Sequence, residues 1–102
     1  MIGSRHVRLL ARAVASILGQ PERGSVAFLR CLPSATVEAV AASGEFQVPG
    51  FKVYGITDRE DAGGRLITAD RAVELREDKD DSILLLIDTH RAGAGLDGIY
   101  SA

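Results

Sequence analysis

Two carboxylates, Asp58 and Asp88, directly follow runs of strand-forming residues, Phe51 to Thr57 and Ser82 to Ile87. In an open α/β sheet the carboxyl ends of the strands share one edge, and ligands bind there. Two carboxylates on that edge could hold Mg²⁺, although acids also stand at strand ends as solvated or capping groups. Ile83 to Asp88 has the apolar-run-then-acid form of a Walker B strand. Such an acid works with a phosphate loop, G-x-x-x-x-G-K-[ST], and neither Lys52 nor Lys79 stands in that frame. A self-sufficient P-loop nucleotidase is not expected.

Gly93-Ala94-Gly95-Leu96-Asp97-Gly98 matches G-x-G-x-x-G and comes after a strand. In a dinucleotide fold these glycines let the backbone approach a pyrophosphate, and the next helix adds its N-terminal dipole. Only Ile99 to Ala102 follow, too few for that helix and a further strand, so a glycine-rich tail or connector is the simpler reading. His90, beside Asp88 and Thr89, is formally an acid/base group and more simply a loop histidine. Cys31 lies in an apolar run and reads as a small core residue. A nucleophilic thiol would need an activating base, and His6 and His90 are the only histidines. No G-x-S-x-G, H-E-x-x-H or C-x-x-C is present. No catalytic residue, metal or cofactor is therefore assigned. If the strand-end edge takes a ligand, Asp58, Asp88, Gly93, Gly95 and Gly98 are its candidate contacts. Arg5, Arg8 and Arg12 form a second set, a basic strip able to meet phosphate or an acidic partner, or simply a solvated helix face.

These residues need a frame. Val7, Leu10, Ala11, Val14, Ile17 and Leu18 recur at helical spacing, which predicts a helix from Ser4, as cap, to a stop at Gly19 and Pro21, with the three arginines largely on another face. Ser25 to Leu32 reads as a strand ended by Pro33. Ser34 caps a helix with Val37, Val40 and Ala41 inward, and Gly44 closes it at a left-handed position. Val48-Pro49-Gly50 is a turn. Phe51 to Thr57 is a second strand in which Gly55 marks weakness or close backbone approach. Asp58 to Gly64 reads as a loop. Thr68 caps a third helix with Asp70 in its first turn, its inner side formed by Ala69, Ala72, Val73, Leu75 and Arg76. Glu77 to Asp81 connects to Ile83-Leu84-Leu85-Leu86-Ile87, whose lack of alternation fits a strand covered on both faces. The expected fold is a small three-layer α/β domain, α-β-α-β-α-β, with a three-stranded, mostly parallel sheet over residues 1–91 and a glycine-rich tail over 92–102. Leu85 and Leu29 are expected to be buried on central strands.

At 102 residues the chain fits one domain with one core. Apolar residues make up 46% and aromatics only 5%, so aliphatic side chains must build that core. The net charge of −2 gives no general attraction to nucleic acid or an anionic membrane. The average hides a contrast. Residues 1–52 carry six Lys/Arg against three acids, and residues 53–102 carry six against eleven, a polarity able to steer association. A single cysteine rules out an internal disulfide. No apolar run approaches membrane-spanning length. The arginines of the first helix interrupt any signal-peptide core, so a cytoplasmic site is expected.

Ile67-Thr68-Ala69-Asp70-Arg71-Ala72-Val73-Glu74-Leu75-Arg76-Glu77, followed by the strand Ile83 to Ile87, resembles a stretch near the start of large bacterial FtsK/HerA-like ATPases associated with phage defence, including phosphorothioation-dependent restriction. The resemblance covers residues 25–90 and rests mainly on A-V-E-L-R-E. It implies an N-terminal α/β module ahead of a motor domain, and no catalytic residue carries over. A chain that stops just after a glycine-rich connector agrees with the leading piece of a longer protein, and a small protein with a ragged tail would look the same. The expected function is a non-catalytic interaction or regulatory module, whose partner is another protein or the remainder of a longer chain, with no membrane or nucleic-acid partner of its own. The alternative is a small nucleotide- or metal-binding domain using the strand-end loops.

Overall fold

The apolar run at 83–87 lies where its lack of alternation puts it, inside a parallel sheet with helices on both faces. The structure is a computed structural model and describes residues 3–58, 65–78 and 80–89. In chain order these form α1 (Ser4–Leu18), β1 (Val26–Leu32), α2 (Ser34–Ser43), β2 (Phe51–Ile56), β3 (Leu66–Ile67), α3 (Ala69–Glu77) and β4 (Ser82–Asp88). The expected fold is corrected in strand number and element order. There are four described strands, not three, and the order is α-β-α-β-β-α-β. The added strand, β3, is two residues long and pairs Gly55 with Leu66 and Ile56 with Ile67.

The strands run parallel in the order β1-β4-β2-β3. β4 is thus flanked by β1 and β2, and every residue from Ser82 to Asp88 is buried. α2 carries the chain from β1 past β4 to β2, and α3 carries it back from β3 past β2 to β4. Because the two crossovers run in opposite directions along the sheet, right-handed connections require their helices on opposite faces. The packing agrees. Leu84 and Leu86 share a core with Val7, Ala11 and Val14 of α1 and Val37 and Val40 of α2. Ile83, Leu85 and Ile87 share the other core with Ala72, Val73 and Leu75 of α3.

Local chemistry explains most element ends. The Thr68 hydroxyl accepts the Arg71 N–H at 3.3 Å and caps α3 as its spacing predicts. Gly44 ends α2 in the left-handed region at φ 72°. The caps expected at Ser4 and Ser34 lie one residue earlier, at Gly3 and Pro33, and neither makes a side-chain cap bond. The Ser4 hydroxyl instead donates to the Glu45 carboxylate. Two burial expectations are also corrected. Leu29 is half-buried because β1 is the outermost described strand on its side. Ile17, expected inward, is 84% exposed, because the buried stripe of α1 runs through Val7, Ala11 and Val14 and leaves Ile17 to one side. The Cys31 side chain, His90 and the tail with Gly93, Gly95 and Gly98 lie outside the described residues.

Gly55 is a point of close approach, as its place in a strand suggests. A Cβ there would lie 3.0 Å from the Ala41 Cβ, 3.0 Å from the Leu66 Cδ2 and 3.1 Å from the Val37 Cγ1. These atoms belong to α2 and β3, so the missing side chain lets both seat on β2. Gly55→Ala is expected to destabilise by about 1–3 kcal/mol through overpacking, even though alanine suits a strand better than glycine. Chemical denaturation checks this, and a variant as stable as the parent would show that α2 can retreat freely.

Candidate functional site

The strand-end edge does not bring its two candidate acids into equivalent places. Asp88 is the last residue of β4, pairs with Leu32 of β1 and is 1% exposed. By strand alternation it falls in the row of Leu84 and Leu86, toward α1 and α2. Asp58 is exposed and lies two residues past the end of β2. The β2–β4 register sets Gly55 against Leu86. Continued by two residues, it brings Thr57, not Asp58, level with Asp88. Thr57 is buried and donates its N–H to Ile67 O at 2.8 Å. A buried carboxylate needs internal partners. Asp88 has such an interaction, as do Thr57 and Asp58, and among the described residues no buried side-chain polar atom lacks a hydrogen bond. Among the same residues no group of three or more His, Cys, Asp or Glu is placed to hold a metal ion. No helix is long and apolar enough to cross a membrane.

At the opposite edge of the sheet Lys52 meets Asp81 at 2.9 Å. The hydrogen bond that Lys52 donates to that carboxylate, then the carboxylate's charge, raises the Lys52 pKa above the usual lysine value. Nearby, a cavity of 540 Å³ lined by Phe46, Phe51, Tyr54 and Arg65 follows the upstream part of β2, beyond the reach of the short β3.

The outer face of α1 is different in kind. Arg5, Arg8 and Arg12 are exposed and stand at i, i+3 and i+7, neighbours on one helix surface. The other described cations have partners. Arg23 meets Asp80 at 3.0 Å, Lys52 meets Asp81, Arg71 meets Glu74 at 2.8 Å, and Arg65 reaches Phe46 O at 3.4 Å. Arg30 and Arg76 are also engaged. Among the described lysines and arginines, only the three of α1 make no side-chain hydrogen bond, ion pair or ring contact. Glu45 lines a 560 Å³ cavity with Arg8 and Arg12, but no ion pair forms. Beside the arginines stand Leu9, 48% exposed, and Ile17, 84% exposed. With the exposed Ala13 they form an apolar stripe at i, i+4 and i+8. Arg5, Arg8, Leu9 and Arg12 together line a further depression of 330 Å³.

The sequence pattern reveals the arginines and hides the stripe, because helical spacing places Ile17 with the inward series of α1. The spacing of Leu9, Ala13 and Ile17 was the available signal. It competed with the longer inward series on the same helix, and only the packing separates the two. The face therefore combines unpaired positive charge with apolar surface, which suits association with an acidic and partly apolar surface. Comparisons of the chain with protein-family models, with curated proteins and with solved structures return no match.

Proposed function

We propose that this domain is a non-catalytic interaction or regulatory module that docks an acidic protein surface through α1. The observation that carries this is the concurrence on one exposed helix face of three unpaired arginines with Leu9 and Ile17. An exposed arginine gains modest electrostatic energy from a partner, and covering the adjacent apolar stripe adds a contribution in proportion to its area. Residues 25–90 resemble the leading α/β module of bacterial defence-associated FtsK/HerA-like ATPases. That supports a setting in which the module is the N-terminal part of such a larger ATP-binding protein, and the partner is then that protein's remainder or a companion chain. A cytoplasmic site belongs to the same reading.

Titration of the isotopically labelled chain tests it. One arm uses an amphipathic helical peptide with glutamates along one face, and a second uses Mg²⁺ with ATP. The peptide is expected to shift amide resonances of residues 5–17, with the response fading as salt rises because exposed charges are screened. A response to Mg²⁺ and ATP confined to Asp58, Asp88 and their neighbours, with none to the peptide, would replace this reading with a strand-end ligand site.

A further inference from the structure

The chain itself carries a surface complementary in charge to the outer face of α1. α1 and α3 cover opposite faces of the sheet, and their outer surfaces carry opposite charge. α1 has three arginines and no acid over Ser4–Leu18. α3 exposes Asp70, Glu74 and Glu77, with Asp78 just beyond its end. Reading α1 forward, the arginines fall at steps of three and four residues, 5 to 8 to 12. Reading α3 backward, the acids fall at the same steps, 77 to 74 to 70. At 1.5 Å rise per residue each set spans about 10.5 Å with the same internal spacing.

Resting on the reading of α1 as a docking face, we infer that this face takes the α3 face of a second copy of the chain. The two helices run antiparallel, with Arg5, Arg8 and Arg12 opposite Glu77, Glu74 and Asp70. The same alignment brings Leu9 level with Val73, which is only half-buried. Pairing α1 with a second α1 would instead oppose arginine to arginine. The contact is heterologous, since one copy's α1 meets the next copy's α3, so association proceeds head to tail, into a ring where the rotation closes and an open chain where it does not. Arg71, now paired with Glu74, competes for one of the acids. Exposed pairs are individually weak, and the association is accordingly reversible and sensitive to salt.

Sedimentation equilibrium on the whole chain tests this with two variants, Arg5→Glu/Arg8→Glu/Arg12→Glu and Glu74→Lys/Glu77→Lys. The substituted positions are exposed, and circular dichroism confirms folding. At about 0.01 M salt, where the screening length is ~30 Å, the parent's average mass should rise with concentration, and at about 1 M, where it is ~3 Å, the parent should be monomeric. Each variant alone carries like charges on both faces, and its association constant should fall on the order of tenfold or more with the loss of several exposed pairs. An equimolar mixture should recover association, since the reversed α1 of one variant then meets the reversed α3 of the other. Association kept by either variant alone, or no recovery in the mixture, overturns the inference. So does a parent that stays monomeric at low salt. In that case binding of the glutamate-faced peptide to α1 leaves the interaction reading standing, and no peptide binding removes both.

Discussion

Leu85→Ala is expected to lower stability by about 2–5 kcal/mol, because the substitution removes packed methyl groups and leaves a cavity that its surroundings fill only in part. Leu85 is fully buried on β4. Its strand neighbours are Phe28 on β1 and Tyr54 on β2, and its core partners are Ile56, Ala72, Ile83 and Ile87. It therefore lies between the sheet and α3, in the smaller of the two cores. Domains hold only about 5–15 kcal/mol in total, so the loss is a large share. The midpoint of urea unfolding measures it. A shift worth less than about 1 kcal/mol would mean that α3 settles into the space, and that the α3 layer is loosely held. The same experiment on Leu29→Ala should give a smaller loss, since Leu29 is half-buried on the outermost described strand on its side.

What made Leu85 legible also marks the limit of sequence reading here. Five consecutive apolar residues, Ile83 to Ile87, have no polar alternation, and their short, β-branch-bounded run fits a strand covered on both faces. Thr68 was legible because a cap depends on two residues close in sequence, its own hydroxyl and the Arg71 N–H. Gly55 was legible as a special strand position, though its neighbours Val37, Ala41 and Leu66 were not. β3 escaped because two residues carry no period. Leu66 and Ile67 are a strand only because β2 offers them its free side, with Gly55 N–H bonding Arg65 O and Thr57 N–H bonding Ile67 O. The sheet order escaped for a similar reason. Local pattern says that strands are parallel and helix-linked, but not that β4 inserts between β1 and β2. Of the candidate surface, the arginines were visible by type and spacing. Ile17 was not, because periodicity gives the relative angles of residues around a helix and leaves open how wide an arc the sheet covers.

Phe46 is the strongest case of a residue whose role only the packing reveals, and Phe46→Ala is expected to cost about 3–5 kcal/mol. It lies in the connector between α2 and β2, outside any helix or strand, yet it is fully buried with Val48 close behind at 3% exposure. Both belong to the core that joins α1 and α2 to the sheet. The connector alternates Glu45, Phe46, Gln47, Val48 and Pro49, so burial of Phe46 and Val48 turns Glu45, Gln47 and Pro49 toward the cavity beside Arg8 and Arg12. The Phe46 carbonyl also accepts a hydrogen bond from the Arg65 guanidinium at 3.4 Å, tying the connector to the residue that precedes β3. Removing the ring should therefore act at two levels. Urea unfolding should show the full loss of stability, while Phe46→Leu, which keeps most of the buried volume, should lose clearly less. Amide hydrogen exchange at Glu45 to Gly50 should accelerate in Phe46→Ala beyond what global unfolding explains, because the connector loses its anchor while β4 keeps its own. An alanine variant that unfolds with the parent's midpoint, or whose connector exchanges at the parent's rate, would show that Val48 alone seats the connector and that the wall of the α1 cavity does not depend on Phe46.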